Sequence, residues 1–228
     1  MVRTWAEKEM RNLKRLHNAG IPCPTPWLLK SHVLIMDFIG SDGWCAPRLK
    51  DANIDVDRLF SCYMSIVIGM RIMYHDCCLV HGDLSEYNLL WHRNTVYIID
   101  VSQSVEHEHP FASEFLRKDI NNVSDFFRKK SLRVLSNYEL FQFVTDRSLL
   151  SLHNPVVPSS QTVVSSASTP DDETEFDGNQ LNDSDQNADT FRARNIKLFD
   201  ELERLVEESA LNAEEAEEKE DEVCDDLM

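Results

Sequence analysis

One stretch constrains this chain more than any other: His81-Gly82-Asp83-Leu84-Ser85-Glu86-Tyr87-Asn88, followed by Ile98-Ile99-Asp100. It is a polar loop between apolar flanks, Leu79-Val80 before it and Leu89-Leu90-Trp91 after it. Val96 to Ile99 reads as a short strand, so Asp100 falls where a β-hairpin ends. A loop Asp or Asn taken singly is usually a turn residue. The joint pattern is far more specific. Phosphoryl transfer needs a carboxylate beside the attacking hydroxyl. It also needs a neutral oxygen ligand and a second carboxylate to hold Mg2+ against the phosphates. Asp83, Asn88 and Asp100 supply that set in that order, and hard oxygen donors suit Mg2+.

The flanks organise around this loop. Residues 4–19 have the spacing of an amphipathic helix with Trp5, Met10, Leu13 and Leu16 on one stripe. Thr4 with Glu7 fits a capping box, and Gly20 is a natural stop. The prolines of IPCPTPW rule out a continuing helix and predict an extended connector. HVLIMDFIG predicts a buried strand over Val33 to Phe38. Long helical patterns occupy 56–78, 112–130 and 137–144.

Charge divides the chain into a neutral body and an acidic C-terminal third. Residues 1–150 hold 18 Lys+Arg and 18 Asp+Glu, while residues 151–228 hold 5 and 22, which accounts for the whole net charge of -17. Ser, Thr, Asp, Asn and Gln dominate from about 152 to 190, a composition that predicts disorder. Residues 191–209 carry one more helical stripe, Phe191, Leu198, Leu202 and Leu205, ahead of a solvated acidic tail. No apolar run approaches about 18 residues, so no membrane span is expected. Six cysteines without CxxC spacing read as reduced thiols, which places the chain in the cytoplasm or the nucleus. The acidic tail gives no reason to expect sequence-specific nucleic-acid binding.

Kinases place the hydroxyl-facing Asp and a metal-ligating Asn five residues apart on one loop, as Asp83 and Asn88 are here. VHGDLSEYNLLW resembles the catalytic loop of the RIO family of atypical serine/threonine kinases and ATPases, and VYIIDVSQSVEHEHP resembles its metal-binding segment. Asp100-Val101-Ser102 stands where other protein kinases have Asp-Phe-Gly, and no Ala-Pro-Glu comes after it; both departures are characteristic of RIO proteins. TWAEKEMRNLKRL, VLIMDFIG and FLRKDINNVSDFF add to the resemblance, which covers about residues 2–147 and points to the first RIO subgroup. Aminoglycoside- and choline-type kinases share the HGD…N…D pattern, but they fit the SQSVEHEHP and WAEKEMRNL segments less well.

The resemblance implies an α+β, protein-kinase-like fold with a mainly helical C-lobe, a truncated N-lobe and a disordered acidic tail. Its expected parts are an N-lobe remnant over 1–40 (helix C and hinge strand), a C-lobe over 41–150, a disordered linker over 151–190, and a helix with acidic tail over 191–228. It implies that Asp83 is the catalytic carboxylate and that Asn88 and Asp100 bind Mg2+. Asp100 would also accept phosphate from ATP, which is nucleophilic catalysis by a carboxylate. Asp37, Phe38 and Ile39 would form the hinge that meets adenine, with Met36 behind it as gatekeeper. Glu9 would be the helix-C glutamate that pairs with an ATP-binding lysine. Asp119 would accept hydrogen bonds from the catalytic-loop backbone, and His81 would brace that loop. Trp5, Trp27, Trp44 and Trp91 read as packing residues.

A kinase also has a phosphate-covering glycine-rich loop and a lysine-bearing strand. Neither occurs among these residues, and no suitable strand precedes Lys8, Lys14 or Lys30. The expectation is a truncated form of a longer enzyme, with weak ATP binding and little turnover on its own. The process implied is maturation of the small ribosomal subunit in the cytoplasm, with a pre-40S particle as partner. The competing expectation is a catalytically dead binding module on that particle.

Overall fold

The computed structural model describes residues 2–149, 174–175 and 188–225. Helix α1 spans Val2–Asn18, so Thr4 lies inside the helix rather than at its cap, and Glu7 instead accepts from Arg3 Nε at 2.9 Å one turn back. The stop at Gly20 is as expected. Gly20 has φ +74°, its N–H donates to His17 O at 2.9 Å, and Ile21 N–H donates to Leu16 O at 3.0 Å. That pair of bonds is a Schellman motif, and the accompanying contact joins the buried Leu16 and Ile21.

Strands β1 (Pro26–Lys30) and β2 (Val33–Met36) form an antiparallel hairpin across a left-handed Ser31. The prolines hid β1: Pro26 is its first residue, the one strand position that needs no donor. Strand β2 stops two residues short of Phe38 and is half-exposed rather than buried. A short hairpin of β3 (Gly40–Ser41) and β4 (Trp44–Cys45) turns through Asp42 and Gly43, both at positive φ, the turn that an Asp-Gly pair favours.

Helix α2 (Val56–His75) is the central helix of the body that follows and is buried on most of its sides from Leu59 to Met73. Strand β5 (Leu79–Val80) leads into the polar loop that carries Asp83 and Asn88. It pairs with β8 (Val105–Glu106), while β6 (Leu89–His92) and β7 (Thr95–Ile98) form the hairpin between them. Arg93 and Asn94 close that hairpin, both at positive φ. Helices α3 (Ala112–Lys129) and α4 (Asn137–Thr145) complete the lobe: α4 packs on both α2 and α3, and Ser136 with Glu139 forms a complete capping box on α4.

Most of the linker expected to be disordered over 151–190 lies outside the described residues. Its Thr174–Glu175 forms strand β9, antiparallel to β1, which gives the sheet the order β2-β1-β9. The single helix expected over 191–209 is two, α5 (Ala188–Arg194) and α6 (Ile196–Asp225), and α6 continues through the acidic run. Ala, Glu and Leu are strong helix formers, so charge does not end the helix there. Phe191, Leu198, Phe199, Leu202 and Val206 are buried, and α6 packs on α2. No helix among the described residues is long and apolar enough to cross a membrane.

Candidate active site

Asn88 and Asp100 stand at the two feet of the β6–β7 hairpin. Ile99 N–H donates to Asn88 O at 3.1 Å, which extends the ladder by one bond and holds the two segments side by side. Asn88 Nδ2 donates to Asp83 O at 2.9 Å and to Asp83 Oδ2 at 3.2 Å. The amide of Asn88 is thereby oriented with its nitrogen on Asp83, and its Oδ1 is the atom left to meet a cation. Asp100 is exposed, has φ +58°, and accepts from Ser102 Oγ at 2.9 Å. An amide oxygen and an exposed carboxylate on adjacent chain segments are a donor set that fits Mg2+.

The loop is gripped from α3. Asp119 is buried, and its two oxygens accept from Gly82 N and Leu84 N, each at 2.8 Å, on either side of Asp83. Asn122 Nδ2 adds a bond to Leu84 O at 3.0 Å. Gly82 holds φ +83°, which an L side chain rarely adopts. Burial pushes the Asp119 carboxyl up to about 7 against the pull of those two amides. His81 is buried behind the loop. Its Nδ1 accepts from Asp83 N at 3.3 Å, which leaves the proton on Nε2 to be donated to Ile99 O at 3.1 Å. Burial lowers its pKa, so the neutral ring ties the loop to the hairpin. Asp119 and His81 have the bracing roles expected of them.

Helix α1 holds the other side of Asp100. Asn12 Nδ2 donates to Val101 O at 2.8 Å, and Glu9 Oε1 accepts from Val101 N at 3.2 Å. Glu9 Oε2 is buried without a hydrogen-bond partner among the described residues. Burial raises the Glu9 carboxyl to about 7, the Val101 amide opposes this, and the charge of Asp100 adds to it. Glu9, Asp100, Met36, Leu34, Ile99 and Trp5 line an open cleft of about 500 Å³. Trp5 is 64 % exposed at its rim and Trp44 is 81 % exposed, so neither is the packing residue expected, whereas Trp91 packs against the core.

Just after β2, at the expected hinge, the Asp37 carboxylate is taken up by its neighbours: Trp27 Nε1 donates to it at 2.6 Å and Thr25 N at 3.2 Å. The Asp37 N–H is spent on Thr25 O and the Ile39 carbonyl on Ala46 N–H, each at 2.9 Å. Phe38 is exposed. Three contributors were not read from the sequence. Asn12 was hidden as a polar residue beside an apolar stripe. Asn122 lies one turn beyond Asp119, and Lys118, next to Asp119 in sequence, places its Nζ 3.3 Å from Asp83 Oδ1.

The RIO domain model matches residues 1–140 of this chain. The chain belongs to the RIO family. It is 56% identical over 149 residues to the serine/threonine-protein kinase rio1 of Dictyostelium discoideum, and 58% identical over 149 residues to RIO1 of Homo sapiens. Human RIO3 is 52% identical over 146 residues. The matches cover 65% of this chain and 26% of each RIO1 protein, and 64% of this chain and 28% of RIO3. The chain therefore spans about a quarter of the length of these curated relatives. Among solved structures it is similar to the Rio2 kinase-ADP/Mg2+-phosphoaspartate complex of Chaetomium thermophilum, with a TM-score of 0.50, 24% identity, and coverage of 62% of this chain and 44% of that one. That likeness establishes the protein-kinase-like RIO fold.

Proposed function

We propose that the chain carries the catalytic half of a RIO-type, Mg2+-dependent phosphotransferase that uses ATP. The observation that carries this reading is the hydrogen-bonded Asp83–Asn88 pair joined through one hairpin to Asp100. Asn88 Oδ1 and Asp100 would hold Mg2+, which when bound neutralises phosphate charge. Asp83 faces the position of an attacking hydroxyl and takes its proton. Adenine would meet the hinge through the Asp37 carbonyl and the Ile39 amide, with Phe38 beside it. In an ATPase cycle Asp100 would itself attack the terminal phosphorus, ADP would leave, and water would hydrolyse the acyl phosphate. A role in pre-40S maturation in the cytoplasm rests on family resemblance alone.

A second reading, a binding module without turnover, is favoured by one observation: Glu9 Oε2 has no hydrogen-bond partner among the described residues. Incubation with γ-labelled ATP and Mg2+ separates the two. Catalysis predicts label on the chain that hydroxylamine removes and that Asp100→Asn abolishes, or released phosphate that depends on Asp83. Wild-type chain that binds Mg2+-ATP but yields neither product supports the binding module.

A further inference from the structure

Loop residues 81–88, which carry Asp83 and Asn88, contain no Lys or Arg. Their charged residues are Asp83 and Glu86, and Asp100 and Glu9 add further acidic groups nearby. Phosphoryl transfer moves negative charge onto the equatorial oxygens of the passing group, and positioned cations are what stabilise it. Among the described residues, Lys118 is the one cation within ion-pair distance of Asp83, Asn88 or Asp100: its Nζ lies 3.3 Å from Asp83 Oδ1. We propose that Lys118 is a catalytic residue, the acceptor-side cation that contacts the transferring phosphoryl group next to Asp83. This rests on the phosphotransferase reading above and extends it to a residue on α3.

Three features support it. First, the position is rigid. Asp119, the next residue, holds the amides on both sides of Asp83, and Asn122, one helical turn on, holds the Leu84 carbonyl. The backbone of Lys118 therefore cannot shift relative to Asp83 without breaking three hydrogen bonds. Second, the opposite oxygen of Asp83 is occupied by Asn88 Nδ2, so Lys118 and Asn88 flank the carboxylate from its two sides. Third, the pair is open to solvent, with side-chain exposures of 57% and 46%. Ion pairs of that kind contribute little to stability. Structure alone gives little reason for this cation, while charge at the reacting group gives one. In the step itself the acceptor oxygen forms its bond to the terminal phosphorus and the bond to the ADP oxygen breaks. The acceptor proton goes to Asp83, and Lys118 keeps its own proton and supplies charge and an N–H donor.

The test uses the full 228-residue chain and calorimetric titration with ADP and Mg2+, first alone and then with aluminium fluoride as the mimic of the passing phosphoryl group. Wild type, Lys118→Met and Lys118→Arg are compared. The expected result is that Lys118→Met changes ADP·Mg2+ affinity far less than it changes the affinity added by aluminium fluoride, because ADP lacks the transferring group that Lys118 contacts. The added affinity from aluminium fluoride falls on the order of 10²-fold in the same variant, and Lys118→Arg recovers most of it. Aluminium fluoride acting equally on wild type and Lys118→Met overturns the proposal, as does wild type that binds ADP·Mg2+ and gains nothing from aluminium fluoride. Wild type that binds no ADP·Mg2+ overturns the phosphotransferase reading itself, and Lys118 falls with it.

Discussion

Asn12 reaches across 89 positions of sequence to donate a 2.8 Å hydrogen bond to the Val101 carbonyl, one residue after Asp100. With Glu9 accepting the Val101 amide, α1 holds both backbone groups of that residue. Asp100 is in the left-handed region, which a non-glycine residue keeps only where its surroundings enforce it. Helix α1 fixes the backbone of the residue that follows Asp100. Asn12→Leu keeps the volume and removes the donor. Leaving the buried carbonyl unpaired should cost about 1–3 kcal/mol in a urea melt, and Mg2+-dependent nucleotide affinity should fall about tenfold or more. Affinity equal to wild type in a folded variant contradicts this coupling.

Asp119 makes stability depend on pH. Its folded carboxyl titrates near 7 against an ordinary value of 3.8. Between those values the folded state holds a proton that the unfolded state has released, so stability falls as pH rises through the window and levels off above it. Glu9, raised to about 7 from 4.5, acts in the same direction. Asp119→Asn should remove up to one proton of this dependence, a slope of at most about 1.4 kcal/mol per pH unit. It should also lower stability at every pH, since an amide cannot accept from both Gly82 and Leu84. Denaturant melts from about pH 4 to 8 read both effects, and an unchanged slope contradicts the assignment.

Arg71 is 2% exposed inside the C-lobe and caps α4 by donating to the carbonyls of Phe143 and, at 2.8 Å, Asp146. Arg71→Leu leaves the buried Phe143 carbonyl unpaired and should cost about 1–3 kcal/mol. The loss should appear as a lower urea midpoint at unchanged slope.

The C-terminal helices should behave as part of the fold. Phe199 is 1% exposed where α6 meets the body, so Phe199→Ala should cost about 3–5 kcal/mol. Arg204, paired on the surface with Glu201 and Glu208, should be replaceable by Ala at less than about 1 kcal/mol. Equal costs would mean α6 does not dock.

Two different kinds of information account for what was legible. The Asp83–Asn88 spacing, the strand before Asp100 and the stop at Gly20 are local, and local chemistry is written in consecutive residues. The role of Asp119 came from family resemblance. The features that stayed hidden depend on partners far away in sequence. Asn12 reads as an ordinary helix residue until Val101 is beside it, and Lys118 as a surface lysine until Asp83 faces it. The pairing of β9 with β1, and the burial of Phe199 and Val206, are set by strands and helices more than a hundred residues upstream. The prolines around β1 were misleading in the opposite way, since one of them simply opens the strand.

The most direct test of the central claim is calorimetric titration of Mg2+-ATP into the wild-type chain and into Asp100→Asn. The account predicts saturable, Mg2+-dependent binding to wild type that weakens in Asp100→Asn while both melt at similar temperatures. Binding that is unchanged by Asp100→Asn or by chelating Mg2+, or no binding by a well-folded wild-type chain, would contradict it.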